Sequence, residues 1–280
     1  MSFKRELMFY NGRIIPAVNR LVPGRMRHPG VFETMLYEQD VVFFWERHLR
    51  RLRAGMRLLG FTRHHIRFWP IVRELVLAND VVQARVRLMV WREDKTIHTA
   101  VTVSPRKALS AAVYRRGFKV AIAKTRIDPA AHPASLKAIA YQPYARIWSR
   151  VQARGYDEAL LLNQTGTIVE ASRANIFFVK GDRLMTPECA CGCLNGITRR
   201  IIMALALRSG LICRQVRLKM DSLFSMDEIF LTNSLIGVMP VGSMNGVQIG
   251  RPDRRPITCA LQQVYRQFCQ AYRRGYVKKL

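Results

Sequence analysis

The chain has 280 residues, 49% of them hydrophobic and 23% charged, a balance that supports a sizeable core and excludes a disordered protein. Its 46 Lys and Arg against 19 Asp and Glu give a net charge of +27, a field that attracts polyanions and anionic metabolites alike. The arginines run from Arg5 to Arg274 without a zinc-finger or RNA-recognition signature, so no specific nucleic-acid partner is expected, and no apolar run reaches the roughly 20 residues that span a bilayer.

The first residues, MSFKRELMFYNGR, lack the apolar centre of a secretion signal, and a cytoplasmic protein is expected. MFYNGRIIP then reads as a hairpin, with Asn11-Gly12 as its turn. VFETMLYEQDVVFFW reads as two strands about a polar turn. In ERHLRRLRAGMRLLGF, Leu49, Leu52, Met56 and Leu59 recur at helical spacing and Gly60 is a stop. A second helix is expected in IRFWPIVRELVLAND. QARVRLMVW alternates, with Val86, Leu88 and Val90 on one face and Arg85 and Arg87 on the other. Residues 1–112 therefore form a small α+β domain, and 113–280 a larger second one.

From Ser104 to Pro133 prolines and glycines interrupt the pattern, and only FKVAIA reads as a strand. A helical stretch ends near Arg154, followed by the short strands EALLLN, TIVEA, NIFFV and RLMTP. Cys189, Cys191 and Cys193 crowd one segment at alternate positions, which is neither a disulfide framework nor ordinary zinc spacing, so no metal site is expected. GITRRIIMALALRSG is a helix with Ile197, Ile201 and Leu205 on one stripe. IFLTNS reads as a strand, and an amphipathic helix through Leu261, Tyr265 and Phe268 follows.

The chemistry-bearing pieces make sense only together. Lys137 lies in ASLKAIAY, a stretch with no acidic residue, where an unpaired ammonium is costly unless it loses its proton or forms a Schiff base. Glu170 is an acid inside an apolar, strand-rich region. LNGITR puts Gly196 at a helix start, where free N–H groups favour a phosphate. Arg51 and Ser234 are phosphate-competent side chains. An amine, a carboxylate and a phosphate cradle are what pyridoxal 5'-phosphate requires.

The ordered run from Lys137 through DEALLLN, Glu170, NIFFV, TP and LNGITR, with GVFETM, ERHLRRL and DEIFLTNSLIGVMPV outside it, resembles the class IV aminotransferase family, the fold-type IV pyridoxal-phosphate enzymes. The resemblance implies a two-domain α+β fold with the cofactor in the cleft between domains, and a homodimer. It implies that Lys137 forms the Schiff base and shuttles a proton, and that Glu170 pairs with the ring nitrogen. Arg51, the backbone of Ile197 and Thr198, and Ser234 would hold the phosphate, with Tyr141 at the family's active-site tyrosine. The chain departs from the family in having Ala140 where asparagine often precedes that tyrosine.

Within the family, Thr34 in FET and the Asn233-Ser234 pair look more like 4-amino-4-deoxychorismate lyases than branched-chain aminotransferases. The lyase reaction, giving 4-aminobenzoate and pyruvate for folate synthesis with Thr34 assisting proton transfer, is therefore the leading expectation. A branched-chain or D-amino-acid aminotransferase is the alternative, and a noncatalytic polyanion-binding protein on the same fold is the alternative of another class. Arg92, ending the RVRLMVW strand, is the expected grip on a substrate carboxylate.

Overall fold

The computed structural model describes residues 6–17, 28–61, 65–130, 133–139, 142–251 and 254–275. They fall into two compact units, one running to Ala108 and also taking in Ser135–Gln142, the other holding Leu109–Ala134 and Pro143 onward.

The first unit contains β1 (Leu7–Tyr10), β2 (Arg13–Pro16), β3 (Gly30–Glu38), β4 (Val41–Val42), α1 (Trp45–Leu58), α2 (Phe68–Asn79), β5 (Gln83–Glu93) and β6 (Thr96–Pro105). Its strands form one antiparallel sheet in the order β2-β1-β6-β5-β3-β4. The β1–β2 turn is made by Asn11 at φ 45° and Gly12 at φ 90°, the left-handed pair that a tight hairpin needs.

Period-two alternation sorts this sheet into two faces. Val31, Met35 and Tyr37 of β3, Val86, Leu88 and Val90 of β5, and Val101 and Val103 of β6 join Leu49, Leu52 and Met56 of α1 and Val72 and Leu75 of α2 in one core. Gly55 lets α1 lie close on β3, since a Cβ there would stand 2.8 Å from Val31 Cγ1. The opposite face carries a second apolar cluster of Met8, Met89, Trp91, Ala100 and Ile139, with Tyr10 and Phe32 packed on it.

Near Gly30 the outer edge of β3 takes backbone pairing from the lysine segment. Phe32 N donates to Lys137 O at 3.0 Å and Ile139 N donates to Gly30 O at 2.8 Å, with Val31 bridged antiparallel to Ala138. These bonds explain why Ser135–Gln142 joins the first unit, so that the chain does not divide into the contiguous blocks 1–112 and 113–280.

The second unit contains α3 (Ala111–Arg116), β7 (Phe118–Ile127), α4 (Gln142–Gln152), β8 (Glu158–Asn163), β9 (Ile168–Ala171), β10 (Asn175–Lys180), β11 (Arg183–Pro187), α5 (Ile197–Arg208), β12 (Ile212–Val216), β13 (Glu228–Asn233), β14 (Gly237–Met244), β15 (Val247–Gln248) and α6 (Pro256–Arg273). The sheet order is β12-β11-β10-β13-β14-β7-β8-β9, with β15 added to β14. Strands β8, β10 and β13 are buried nearly end to end, and Leu160, Ile176, Phe178, Ile229, Leu231 and Met239 lie in one core.

The stretch read as irregular is more ordered than its prolines suggest. Ser110 caps α3 by accepting a bond from Val113 N, and β7 follows at once. Gly117 between them has φ +77°, and a Cβ there would sit 2.7 Å from Gly242 N, so the glycine marks a close strand approach rather than a linker. Among the described residues no helix is long and apolar enough to cross a membrane.

Candidate active site

On the helix-facing side of β3, Glu33 is fully buried and held by two partners from α1. Arg51 donates Nε to Oε1 at 2.6 Å and a terminal nitrogen to Oε2 at 2.7 Å, and His48 Nδ1 lies 2.6 Å from Oε2. Burial alone would raise the Glu33 carboxyl, but Arg51 and His48 together outweigh it and lower it from 4.5 to about 2. His48 goes the other way: burial lowers its pKa in spite of Glu33, so the ring is a neutral donor at pH 7. Arg51 is thus oriented by a bidentate carboxylate, a geometry that fixes the guanidinium plane.

The opposite face of the same sheet carries Lys137 and Thr34. Lys137 pairs with Phe32 across the β3 edge, and its Nζ lies over the Phe32 ring, 4.7 Å from the centroid. Across β3 the register places Phe32 beside Met89 and Thr34 beside Arg87, with Arg87 in turn beside Thr102 of β6. Lys137, Phe32, Thr34 and Arg87 therefore share one face. Two strand spacings and one pleat step put the Cα atoms of Lys137 and Arg87 about 12 Å apart. Arg92 has the other parity: it is exposed, on the side of α1 and α2, with its guanidinium 5.3 Å from the centroid of the Phe61 ring. The sheet brings Arg87, not Arg92, to the lysine's face.

In the second unit, Glu170 on β9 is 7% exposed and accepts bonds from Asn175 Nδ2 at 3.0 Å and Leu194 N at 3.2 Å. Asn175 also donates to Leu194 O at 2.8 Å, tying β10 to the segment that enters α5. Gly196 is the N-cap of α5, and no side chain caps this helix. A Cβ on Gly196 would fall 2.0 Å from Asn175 Oδ1, so only glycine fits while Asn175 holds Glu170. Thr198 Oγ1 is buried, with the buried Tyr265 hydroxyl interacting with it. Arg199 secures this end of the helix, donating to Pro187 O at 2.9 Å and Gln215 Oε1 at 2.8 Å.

Ser234 lies half-buried in the turn after β13. The neighbouring Asn233 builds that turn, accepting from Leu235 N at 2.8 Å and Ile236 N at 2.9 Å and donating to Arg173 O at 3.0 Å. Tyr141 lies outside the described residues. Glu33, His48 and Asn175 were not singled out by sequence reasoning, although the first two stand in the GVFETM and ERHLRRL motifs and the third opens NIFFV. Cys189, half-buried before α5, has its thiol lowered chiefly by Cys193 beside it, with Arg199 and Arg200 contributing.

Residues 30–244 match the profile of the protein family described as amino-transferase class IV. The chain belongs to that family. It is 28% identical to the branched-chain-amino-acid aminotransferase of Salmonella typhimurium, over 94% of this chain and 92% of the relative. The Escherichia coli K12 protein of the same name is 27% identical over the same shares. Among solved structures, the branched-chain aminotransferase of the thermophilic archaeon Thermoproteus uzoniensis with norvaline superposes with a TM-score of 0.82 at 25% identity, covering 97% of this chain and 97% of that one. The Thermobaculum terrenum enzyme in its PLP form gives 0.80 at 25% identity, with 97% and 96% covered. The class IV aminotransferase fold is thus the fold of this chain, a mixed α+β architecture.

These relatives overturn the lyase expectation. Each of them is a branched-chain aminotransferase, matched over nearly its whole length, which favours the aminotransferase alternative over the lyase reading drawn from Thr34 and Asn233-Ser234. The folate and 4-aminobenzoate assignment falls with it. Three residues in two short segments of a scaffold shared by several chemistries do not specify the reaction.

Proposed function

We propose that this class IV aminotransferase-family chain is a pyridoxal-phosphate-dependent transaminase, moving an amino group between an amino acid and a 2-oxo acid. The donor types fit the cofactor: in the second unit an uncapped helix start behind an obligatory glycine and a buried carboxylate, and in the first a lysine on a strand-paired segment. When bound, the cofactor supplies the electron sink that lets an amino acid's Cα give up its proton.

In this reading Lys137 is the amine that anchors the cofactor and the base that carries the Cα proton. Glu170, held by Asn175 and Leu194 N, keeps a proton on the ring nitrogen. The N–H groups of Ile197 and Thr198, the Thr198 and Ser234 hydroxyls and Arg51 serve the phosphate, and Tyr141 lines the ring. Thr34 and Arg87 receive the substrate carboxylate in place of Arg92. The branched-chain enzymes among the relatives supply the first substrates to try, and a homodimer, checked by light scattering, remains part of the proposal.

The observation that carries the reading is the seating of Lys137 on the β3 edge, on the face of Thr34 and Arg87. The test is to load the protein with cofactor, reduce it with borohydride and map the labelled residue by mass spectrometry. Exchange is followed spectrally in single turnovers with leucine and glutamate, and with their 2-oxo acids. Label at Lys137 and reversible exchange, both absent in Lys137→Ala, are expected. Label elsewhere, or a coloured protein inert to every amino acid tried, refutes it.

A further inference from the structure

In the segment that leads into α5, three cysteines take no part in the transaminase chemistry. The chain doubles back there: Cys191 N donates to Glu188 O and Gly192 N to Cys189 O, both at 3.0 Å. Gly192 makes the turn at φ +107°, where a Cβ would stand 3.1 Å from Pro129 Cα. The fold-back directs Cys193 Sγ to Pro187 O at 3.6 Å and to Glu188 O at 3.5 Å. A carbonyl oxygen lies within about 3 Å of the next Cα, so covalent geometry alone puts Cys193 Sγ within roughly 6 Å of Cys189 Cα. The two thiols hydrogen-bond each other. Among the described residues no three His, Cys, Asp or Glu side chains gather to hold a metal, and both cysteines are free thiols.

The surroundings give the two sulfurs different chemistry. Cys189 is half-buried, and the Cys193 S–H, aided by Arg199 and Arg200, outweighs that burial and brings its thiol from 9.0 down to about 6. It is therefore mostly thiolate at pH 7, the form that attacks oxidants. Cys193 is buried, and the bond to Cys189 together with burial keeps it protonated. Cys191, buried and near Glu188, is likewise kept a thiol. A solvent-reached, cation-supported thiolate with a second thiol in contact is the arrangement that a peroxide converts to a disulfide.

We infer that Cys189 and Cys193 are an oxidation site, at which hydrogen peroxide closes a disulfide that weakens cofactor binding. The Cys189 thiolate attacks the peroxide: an S–O bond forms, the O–O bond breaks, and the departing hydroxide takes up a solvent proton as water. The sulfur is oxidised by two electrons and the peroxide reduced by two. Cys193 then attacks the sulfenic sulfur, so that S–S forms, S–O breaks, and the hydroxide leaves with the Cys193 proton as a second water. Closing the bond draws the sulfurs together by about 1–2 Å and takes Cys193 from Pro187 O and Glu188 O. Leu194 is the next residue, and its N–H holds Glu170 at 3.2 Å while its C=O holds Asn175 at 2.8 Å. The effect on the cofactor rests on the transaminase reading; the thiol chemistry does not.

The test treats reduced wild type, Cys189→Ser and Cys193→Ser with hydrogen peroxide, blocks the remaining thiols with iodoacetamide and maps the products by mass spectrometry. Wild type is expected to lose two hydrogens in a single disulfide, Cys189 to Cys193, that dithiothreitol reverses. Cys193→Ser should stop at a Cys189 sulfenic acid that dimedone traps, and Cys189→Ser should form neither product. Equilibrium dialysis with pyridoxal 5'-phosphate should show affinity about tenfold lower in oxidised wild type, restored on reduction, and unmoved by peroxide in Cys189→Ser. Oxidation first at Cys213, Cys259 or Cys269, or a Cys189 to Cys193 disulfide that leaves a measurable affinity unchanged, overturns the inference. A protein that forms the disulfide yet takes up no cofactor in either state would sink the transaminase reading and leave the thiol site standing.

Discussion

Replacing Glu33 by Gln tests the electrostatic clamp that orients Arg51. The folded carboxyl sits at about 2 against an ordinary 4.5, a displacement worth about 3 kcal/mol at neutral pH. The sign follows from its depressed pKa: the contribution is complete above 4.5 and is lost as pH falls toward 2. His48, kept neutral by burial, acts in the same sense as pH drops through and below its ordinary 6.5. Denaturant unfolding followed by tryptophan fluorescence is a direct assay, because Trp45 opens α1 and Trp91 lies in the sheet it packs against. Glu33→Gln should lose about 3 kcal/mol at pH 7, with a flatter acid dependence between pH 5 and 2 than wild type. A variant within about 1 kcal/mol of wild type, with a parallel acid profile, would mean that desolvation cancels the ion pair and the clamp adds no stability.

Gly196→Ala places a Cβ 2.0 Å from Asn175 Oδ1, so Asn175 must release Glu170 or α5 must shift. Cofactor affinity, measured by equilibrium dialysis, should fall by about tenfold or more, the scale of one or two lost hydrogen bonds. Cys189 should be the first thiol alkylated by iodoacetamide, with half-maximal rate at a pH below the roughly 8.5 of a free cysteine, because Cys193 and the nearby arginines favour its thiolate. Peptide mapping across a pH series reads this directly, and a rate profile centred on the ordinary value would refute it.

The sequence by itself determined the local elements and the cofactor chemistry. The Asn11-Gly12 hairpin, the α1 stripe and the alternation of β5 are set by short-range periodicity, which backbone geometry translates directly into faces. That alternation already put Arg85 and Arg87 together and away from Val86, and the same parity puts Arg92 with Val86. Choosing Arg92 from the resemblance overlooked it. The uncapped helix start proposed to serve the phosphate was legible because Gly196 and the helix behind it are contiguous. Tertiary structure alone decided the rest. Lys137 joins β3 through backbone hydrogen bonds between residues over a hundred positions apart, and main-chain pairing leaves no side-chain signature. Asn175 becomes meaningful only when folding brings Glu170, Leu194 and Gly196 around it. Whether an arginine is answered by a carboxylate depends on which strands lie side by side, and the sheet order that leaves the buried Nε atoms of Arg85 and Arg87 without a hydrogen-bond partner among the described residues is a property of the fold, not of any segment of the chain.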